Sequence, residues 1–188
     1  MHASLLPAGG QRVFIERYAL IPRELLVALG ERTELLPYNV LTIFTSMFLH
    51  GGVFHVLGNM LYLYIFGNNI EDSLGHVRFI FFYGASGLAA ALMQFLFDPS
   101  SGLPMIGASG AVSGVLGAYL LLYPYARIKT LIFIFVFVTT VEMPAVVMLT
   151  IWFLMQLVFS HIGKGVAWWA HIGGFVFGLV TVKLFALG

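Results

Sequence analysis

The sequence predicts an all-α fold, a polytopic bundle of membrane-spanning helices, on three observations. Of its 188 residues, 60% are hydrophobic and only 9% are charged, against about 25% charged in an ordinary soluble domain. Five stretches approach the roughly 20 apolar residues that a spanning helix needs. The chain also holds 21 Gly and 18 Phe, a composition suited to helices that pack closely in lipid. A soluble core of this size leaves too much surface in water to hide so much apolar side chain. Lipid removes that problem, provided the backbone satisfies itself in helices. The net charge of +1 offers no basic field for nucleic acid. With no cysteine, disulfides, thiolate catalysis and cysteine-ligated zinc are excluded.

The chain opens with its most polar part. Residues 1–38 carry Arg12, Glu16, Arg17, Arg23, Glu24, Glu31, Arg32 and Glu34. No secretory signal pattern is visible there. Pro22 to Leu29 reads as one short amphipathic helix, with Pro22 near its first turn and Gly30 after its last apolar residue. Residues 1–40 are therefore expected to lie at the membrane surface, and 41–188 to form a single membrane domain without repeats.

Within that domain the first span is expected from about Val40 to Gly67, with a loop before Gly52. The second is Phe79 to Phe97, free of charge, and the third runs from Ser109 to about Tyr123. The fourth lies in the apolar run Ile132 to Phe159. Pro144 offers a helix start there, so Pro144–Phe159 is read as the span. The stretch before it, 128–143, is left open as extended, interfacial or re-entrant, with Glu142 placed to cap the following helix. The fifth span is about Val166 to Leu184. Short loops set the orientation. Loops 68–78 and 124–130 hold Arg78, Arg127 and Lys129, against one Lys in the two opposite loops. The starts of the third and fifth helices then face outward.

Three polar constellations stand out. In Gly107-Ala108-Ser109-Gly110, Pro104 and Gly107 mark a loop, so Ser109 falls at a helix N-terminus. Unpaired backbone N–H groups there favour negative charge, as an acyl-transfer nucleophile requires. In the second, His171, Gly174 and Gly178 are spaced i, i+3, i+7 and share one helix face. Gly110, Gly114 and Gly117 form a matching face at i, i+4, i+7. Two such faces packed together would bring Ser109 and His171 within side-chain reach. The third is His50-x4-His55-x3-Asn59. His55 and Asn59 share a face, and both can donate hydrogen bonds; buried polar groups in membranes are costly and usually functional. His50 and His55 are five apart, which is not the spacing of a helical metal pair, and no carboxylate accompanies them. No Asp or Glu neighbours His171, so a Ser–His dyad is expected rather than a triad. Packing must then orient the histidine.

Together, in this order, the motifs resemble those of the rhomboid intramembrane proteases. The similarity continues through Thr45-Ser46-Met47-Phe48-Leu49-His50, Phe66-Gly67-Asn68-Asn69-Ile70-Glu71-Asp72 and Gly75-His76-Val77-Arg78-Phe79, covering roughly Leu41 to Leu184. The resemblance implies a serine endopeptidase that cuts transmembrane helices near their outer ends. Ser109 would be the nucleophile and His171 its base. Asn59, His55 and the Ser109 backbone N–H would stabilise the oxyanion, and His50, Gly107, Gly110 and Gly174 would support the site. It implies transmembrane protein substrates and lipid as partners, no nucleic acid, no metal or organic cofactor, and a multi-pass location, expected in a bacterial cytoplasmic membrane. Two departures are visible. The family's minimal core has six spans; five are counted here, as if the first were lost upstream. Some members place an aromatic ring beneath the histidine four residues after the serine; here that position is Ser113, so another residue must orient His171. The competing readings are a non-proteolytic relative that binds transmembrane segments, a small transporter or channel, and a purely structural membrane protein.

Overall fold

A computed structural model describes residues 8–134, 137–163 and 165–186. Helix α1 (Ala8–Tyr18) and helix α2 (Pro22–Gly30) open the chain. Helix α1 was not expected from the sequence; two glycines in its first turn and a mixed polar face give it little periodic signal. Leu20, between the two helices, is fully buried. It accepts a backbone hydrogen bond from Met105 N–H at 2.8 Å, while Arg23 N–H donates to Ser101 O at 3.0 Å. The opening segment is thereby tied to the loop that precedes Ser109.

A 3-10 turn, Thr33–Leu35, leads into α3 (Leu36–Thr45) and a second such turn, Ser46–Phe48. Thr45 Oγ1 donates to Tyr18 O at 2.7 Å, and the Tyr38 hydroxyl donates to Arg17 O. The chain then breaks at residues 49–52. It continues as α4 (Val53–Tyr62), a π-helical turn (Leu63–Gly67) and α5 (Asn68–Leu74). The helices on either side of the break differ in direction by 82°. The apolar stretch that begins at Val40 is thus not one straight span. Hydropathy alone does not register a change of direction.

Among the described residues, helix α6 (His76–Phe97), helix α8 (Ala145–Ile162) and helix α9 (Trp168–Ala186) are long and apolar enough to cross a bilayer, and the bent pair passes the same test only when its two halves are taken as one span. Between them stands α7 (Ser109–Leu122), with nine consecutive buried residues from Ala111 to Tyr119. Phe66, Phe82, Leu149, Phe175 and Val182 surround it in the main core. Strands β1 (Arg127–Ile134) and β2 (Phe137–Pro144) form an antiparallel hairpin between α7 and α8. Of the conformations left open for 128–143, the extended one is adopted by 128–134 and 137–143; residues 135–136 lie outside the described residues. Glu142 lies opposite Lys129 in that hairpin and is not a helix cap; α8 begins after Pro144.

Helix α7 has 14 residues against 22 in α6, or about 21 Å against about 33 Å at 1.5 Å per residue. Its lower end is level with the α5–α6 turn. There the Tyr123 hydroxyl donates to Asn69 O at 3.3 Å and lies 2.7 Å from Ser73 Oγ. Gly110, next to Ser109, faces Ala90, and α6 continues from there to Phe97, so the upper end of α7 stops roughly 10 Å short of the far end of α6. Loop 98–108 descends to it. Backbone at that depth must find partners inside the protein, and Gly107 N–H donates to Ser46 O at 3.0 Å.

Helices α7 and α9 meet through their glycines. A Cβ on Gly178 would overlap the Gly114 carbonyl oxygen and stand 2.6 Å from its carbon. One on Gly174 would overlap Gly110 O, and one on Gly117 would overlap Phe175 O. Small residues on both faces let the two backbones touch. Replacing Gly178 by Ala should lower stability in detergent by about 1–3 kcal/mol or more, the usual range for overpacking. Gly84→Ala, where nothing lies within 4 Å of the added carbon, should leave the unfolding midpoint unchanged or raise it.

Candidate active site

The glycine contact brings the N-terminal ends of α7 and α9 together. Ser109 opens α7 and His171 sits in the first turn of α9. Although 62 residues separate them in sequence, His171 Nε2 lies 2.9 Å from Ser109 Oγ. Gln94, buried on α6, accepts a hydrogen bond from Ala170 N–H at 3.3 Å. That bond holds the backbone just ahead of the histidine. Gly110 takes part as well: a Cβ there would press on Ala90 Cβ at 2.6 Å.

The imidazole is packed and bonded on its other sides. Trp168 meets it edge-on with ring centroids 6.0 Å apart, and Trp152 lies tilted at 6.1 Å. The second nitrogen, Nδ1, is 2.9 Å from Gln156 Oε1. Ser113, buried one turn below Ser109, donates to Ser109 O at 2.6 Å. Gln156, Gln94 and the two tryptophans were not singled out in the sequence. A signal existed for Gln156, because a primary amide in the middle of an apolar span is costly unless it is bonded.

Helix α4 supplies the opposite wall. His55 Nδ1 accepts from Gly51 N–H at 3.3 Å. A neutral imidazole has one donor and one acceptor nitrogen, so the proton resides on Nε2. That atom faces the loop before Ser109: a Cβ added to Gly107 would stand 2.7 Å from it and 3.7 Å from Asn59 Nδ2. Gly107 also has φ +115°, a conformation L side chains rarely adopt. Glycine is required there twice over, for the turn and for the approach of His55. Asn59 is buried and donates one amide hydrogen to His55 O at 2.9 Å, leaving its second to the cavity. His50, also buried, stacks edge-on against His55 with centroids 5.1 Å apart.

Ser46, His55, Asn59, Ser109, Ser113 and His171 share the lining of one cavity of about 780 Å³. Most of the remaining lining is apolar, with Ile15 of α1 and Ile106 of the descending loop among it. Of the sequence-derived candidates, Ser109, His171, His55, Asn59, Gly107 and Gly110 reach this cavity. His50 lies behind His55, and Gly174 lies in the α7–α9 contact. A nucleophile-type hydroxyl, a base-type imidazole and two further donor side chains thus face one apolar-walled space.

Comparison with known proteins places residues 37–187 in the rhomboid domain family. The chain is 33% identical over 159 residues to RHOMBOID-like protein 1 of Arabidopsis thaliana, covering 80% of this chain and 36% of that protein. It is 28% identical to the mitochondrial Rhomboid protein 1 of Saccharomyces cerevisiae, covering 89% of this chain and 45% of the relative. It is 38% identical over 95 residues to Rhomboid protease GluP of Bacillus subtilis, covering 50% of this chain and 17% of that one. The chain thus spans less than half the length of each of these relatives. They come from plant, mitochondrial and bacterial sources, which supports an integral membrane protein without narrowing the membrane to a bacterial one.

The site's position below one surface is testable, because the chain has no cysteine of its own. Ser109→Cys in sealed proteoliposomes should react with a membrane-impermeant methanethiosulfonate added on the face opposite the Arg127–Lys129 hairpin. Labelling only from the hairpin face would overturn the placement of Ser109 at the end of the bundle opposite the charged loops.

Proposed function

Because the chain belongs to the rhomboid family, we propose that it is an intramembrane serine endopeptidase that cuts transmembrane helices of other membrane proteins through a Ser109–His171 dyad. The observation that carries the reading is the 2.9 Å contact between Ser109 Oγ and His171 Nε2. A hydroxyl is a weak nucleophile until a base takes its proton. Here the base is within hydrogen-bond reach before any substrate arrives.

In this mechanism Ser109 Oγ attacks the scissile carbonyl as its proton passes to His171 Nε2. The carbonyl oxygen gains the negative charge. Donors to it are the Asn59 amide, the His55 Nε2–H and the Ser109 backbone N–H at the start of α7, where the helix dipole adds its positive end. His171 then returns the proton to the leaving amine. Water enters through the cavity and attacks the acyl carbon as its proton passes to His171; His171 then gives that proton to Ser109 Oγ as the C–Oγ bond breaks and the acyl chain leaves as a carboxylic acid. His50 supports His55 by packing, and the Gly107 turn allows His55 to approach. No step calls for a metal or organic cofactor.

The substrate class follows from the same geometry. A peptide bond inside an intact helix is screened by its own hydrogen bonds, so a substrate must unwind locally to enter. Sequences with small or helix-destabilising residues near their outer end do so at least cost. With Ser109 roughly 10 Å short of the end of α6, the cut falls within the outer part of the bilayer.

Ser109→Ala and His171→Ala should each reduce cleavage of a defined transmembrane substrate in liposomes by about 10⁴–10⁶-fold, with unfolding unchanged. A fluorophosphonate should label Ser109 and no other serine. Asn59→Ala should slow turnover by up to about 10²–10³-fold, the loss typical of one oxyanion donor. A parent chain that binds the substrate tightly but neither cuts it nor reacts with the probe would instead be a non-proteolytic binder of transmembrane segments.

A further inference from the structure

We infer that Gln156 of α8 is a positioning residue for His171, holding the imidazole in the one tautomer that can take the Ser109 proton. The inference rests on the protease reading above.

The argument starts from which amide atom faces the ring. Gln156 Nε2 lies 3.1 Å from Trp152 O, one turn back on α8. A carbonyl oxygen only accepts, so the Gln156 NH₂ group must point there. Turning the amide over would set two oxygens against each other. The atom left for His171 is Oε1, at 2.9 Å from Nδ1. An amide oxygen also only accepts, so Nδ1 must carry the hydrogen. Neutral imidazole has a single N–H, and Nε2 is therefore bare. It is Nε2 that lies 2.9 Å from Ser109 Oγ. The chain of donation has one direction throughout: Ser109 O–H to His171 Nε2, His171 Nδ1–H to Gln156 Oε1, Gln156 N–H to Trp152 O. In the other tautomer Nε2–H would point at Ser109 and could not accept its proton.

The same bond fixes ring orientation. Rotation about Cβ–Cγ would carry Nδ1 away from Gln156 and put a carbon there. Trp152 and Trp168 limit tilt by contact, but an aromatic face does not tell nitrogen from carbon as an amide oxygen does. Gln156 is only 5% exposed and stands among Phe153, Leu154, Met155, Leu157 and Val158. For packing alone a methionine of nearly equal volume would serve. When the Ser109 proton reaches Nε2 the ring becomes a cation. The Gln156 oxygen already faces its second N–H, so no reorganisation is needed at that moment.

Two variants separate this role from a merely structural one. Gln156→Met keeps volume and removes the acceptor. Gln156→Glu keeps an acceptor and adds a charge when ionised. Both are compared with the parent chain in proteoliposomes carrying a fluorogenic transmembrane substrate. Gln156→Met should lower kcat at least about 10-fold, in the direction of the loss a wrong tautomer causes in a triad. KM should stay within about twofold, fluorophosphonate labelling of Ser109 should slow in parallel, and the unfolding temperature should hold. Gln156→Glu should recover most of kcat. Its acid limb should move to higher pH by about 1–3 units, because a nearby carboxylate favours the imidazolium and the base stays protonated longer. His55 and Tyr62 are the other titratable side chains lining the cavity; they are common to parent and variant, so the difference between profiles belongs to position 156.

A Gln156→Met chain with the parent's kcat overturns the inference and leaves the protease reading intact. So does a Gln156→Glu chain with an unmoved acid limb, which decides the matter even where the methionine variant does not fold. A parent that neither cuts nor labels overturns both.

Discussion

Helices α7 and α9 stand so close that one added methyl on Gly178 would overlap a carbonyl oxygen of Gly114. Every feature of the site depends on that approach. Ser109 and His171 sit one to two turns above it, on helices that share no local sequence. Side chains at Gly117, Gly174 or Gly178 would push the helices apart and open the 2.9 Å contact. In lipid there is no hydrophobic force to close such a gap, because acyl chains are as apolar as leucine. Packing and hydrogen bonds between helices carry the association instead. The glycines supply the packing, and Gln94 adds a buried hydrogen bond across to α9.

The second constraint is depth. The proposed hydrolysis within a bilayer needs water at a place from which lipid excludes it. Shortening one helix achieves this without breaking the bundle. Because α7 is about two-thirds the length of α6, its first residue begins below the rim. Ile15 of α1, Ile43 of α3 and residues 103–107 of the descending loop line the cavity beside it. The irregular backbone that this geometry requires is tied down at Leu20–Met105 and Ser46–Gly107. These bonds explain why the polar opening segment is packed against the bundle, with Leu20, Ile21 and Leu25 buried.

What was legible in the sequence was whatever repeats with a helical period or breaks one. The glycine faces, the His55–Asn59 pair and the loop before Ser109 all follow from spacing, and they sufficed to bring residues 109 and 171 together on paper. Three things were not legible. The loop before Gly52 was expected, but not the 82° change of direction across it, because hydropathy carries no directional information. The stretch 128–143 lies in an apolar run without a clear period, so its extended form is one of three readings the sequence leaves open, beside interfacial and re-entrant. Gln156 of α8 bonds the His171 ring and Gln94 of α6 holds the Ala170 N–H beside it, and nothing in the spacing of either glutamine shows which neighbour it will face. A buried amide in an apolar helix announces that it has a partner, not who the partner is.

A neutral orienting group also suits the medium. In water-exposed hydrolases a carboxylate commonly orients the catalytic imidazole and stabilises its cation. Below a membrane surface a standing carboxylate is costly throughout the resting state, and a buried ion pair recovers that cost only with excellent geometry. The chain of Ser109, His171, Gln156 and Trp152 O carries no formal charge at rest. In the proposed chemistry, charge arises only as the proton moves, when imidazolium and oxyanion form together a few ångströms apart. Their mutual attraction is strongest where the surroundings are least polar. Placing every dipole in advance, Asn59 and His55 towards the anion and Gln156 towards the cation, lets that attraction act without water having to reorient. The scarcity of charged side chains is on this view a property of the mechanism as much as of the bilayer.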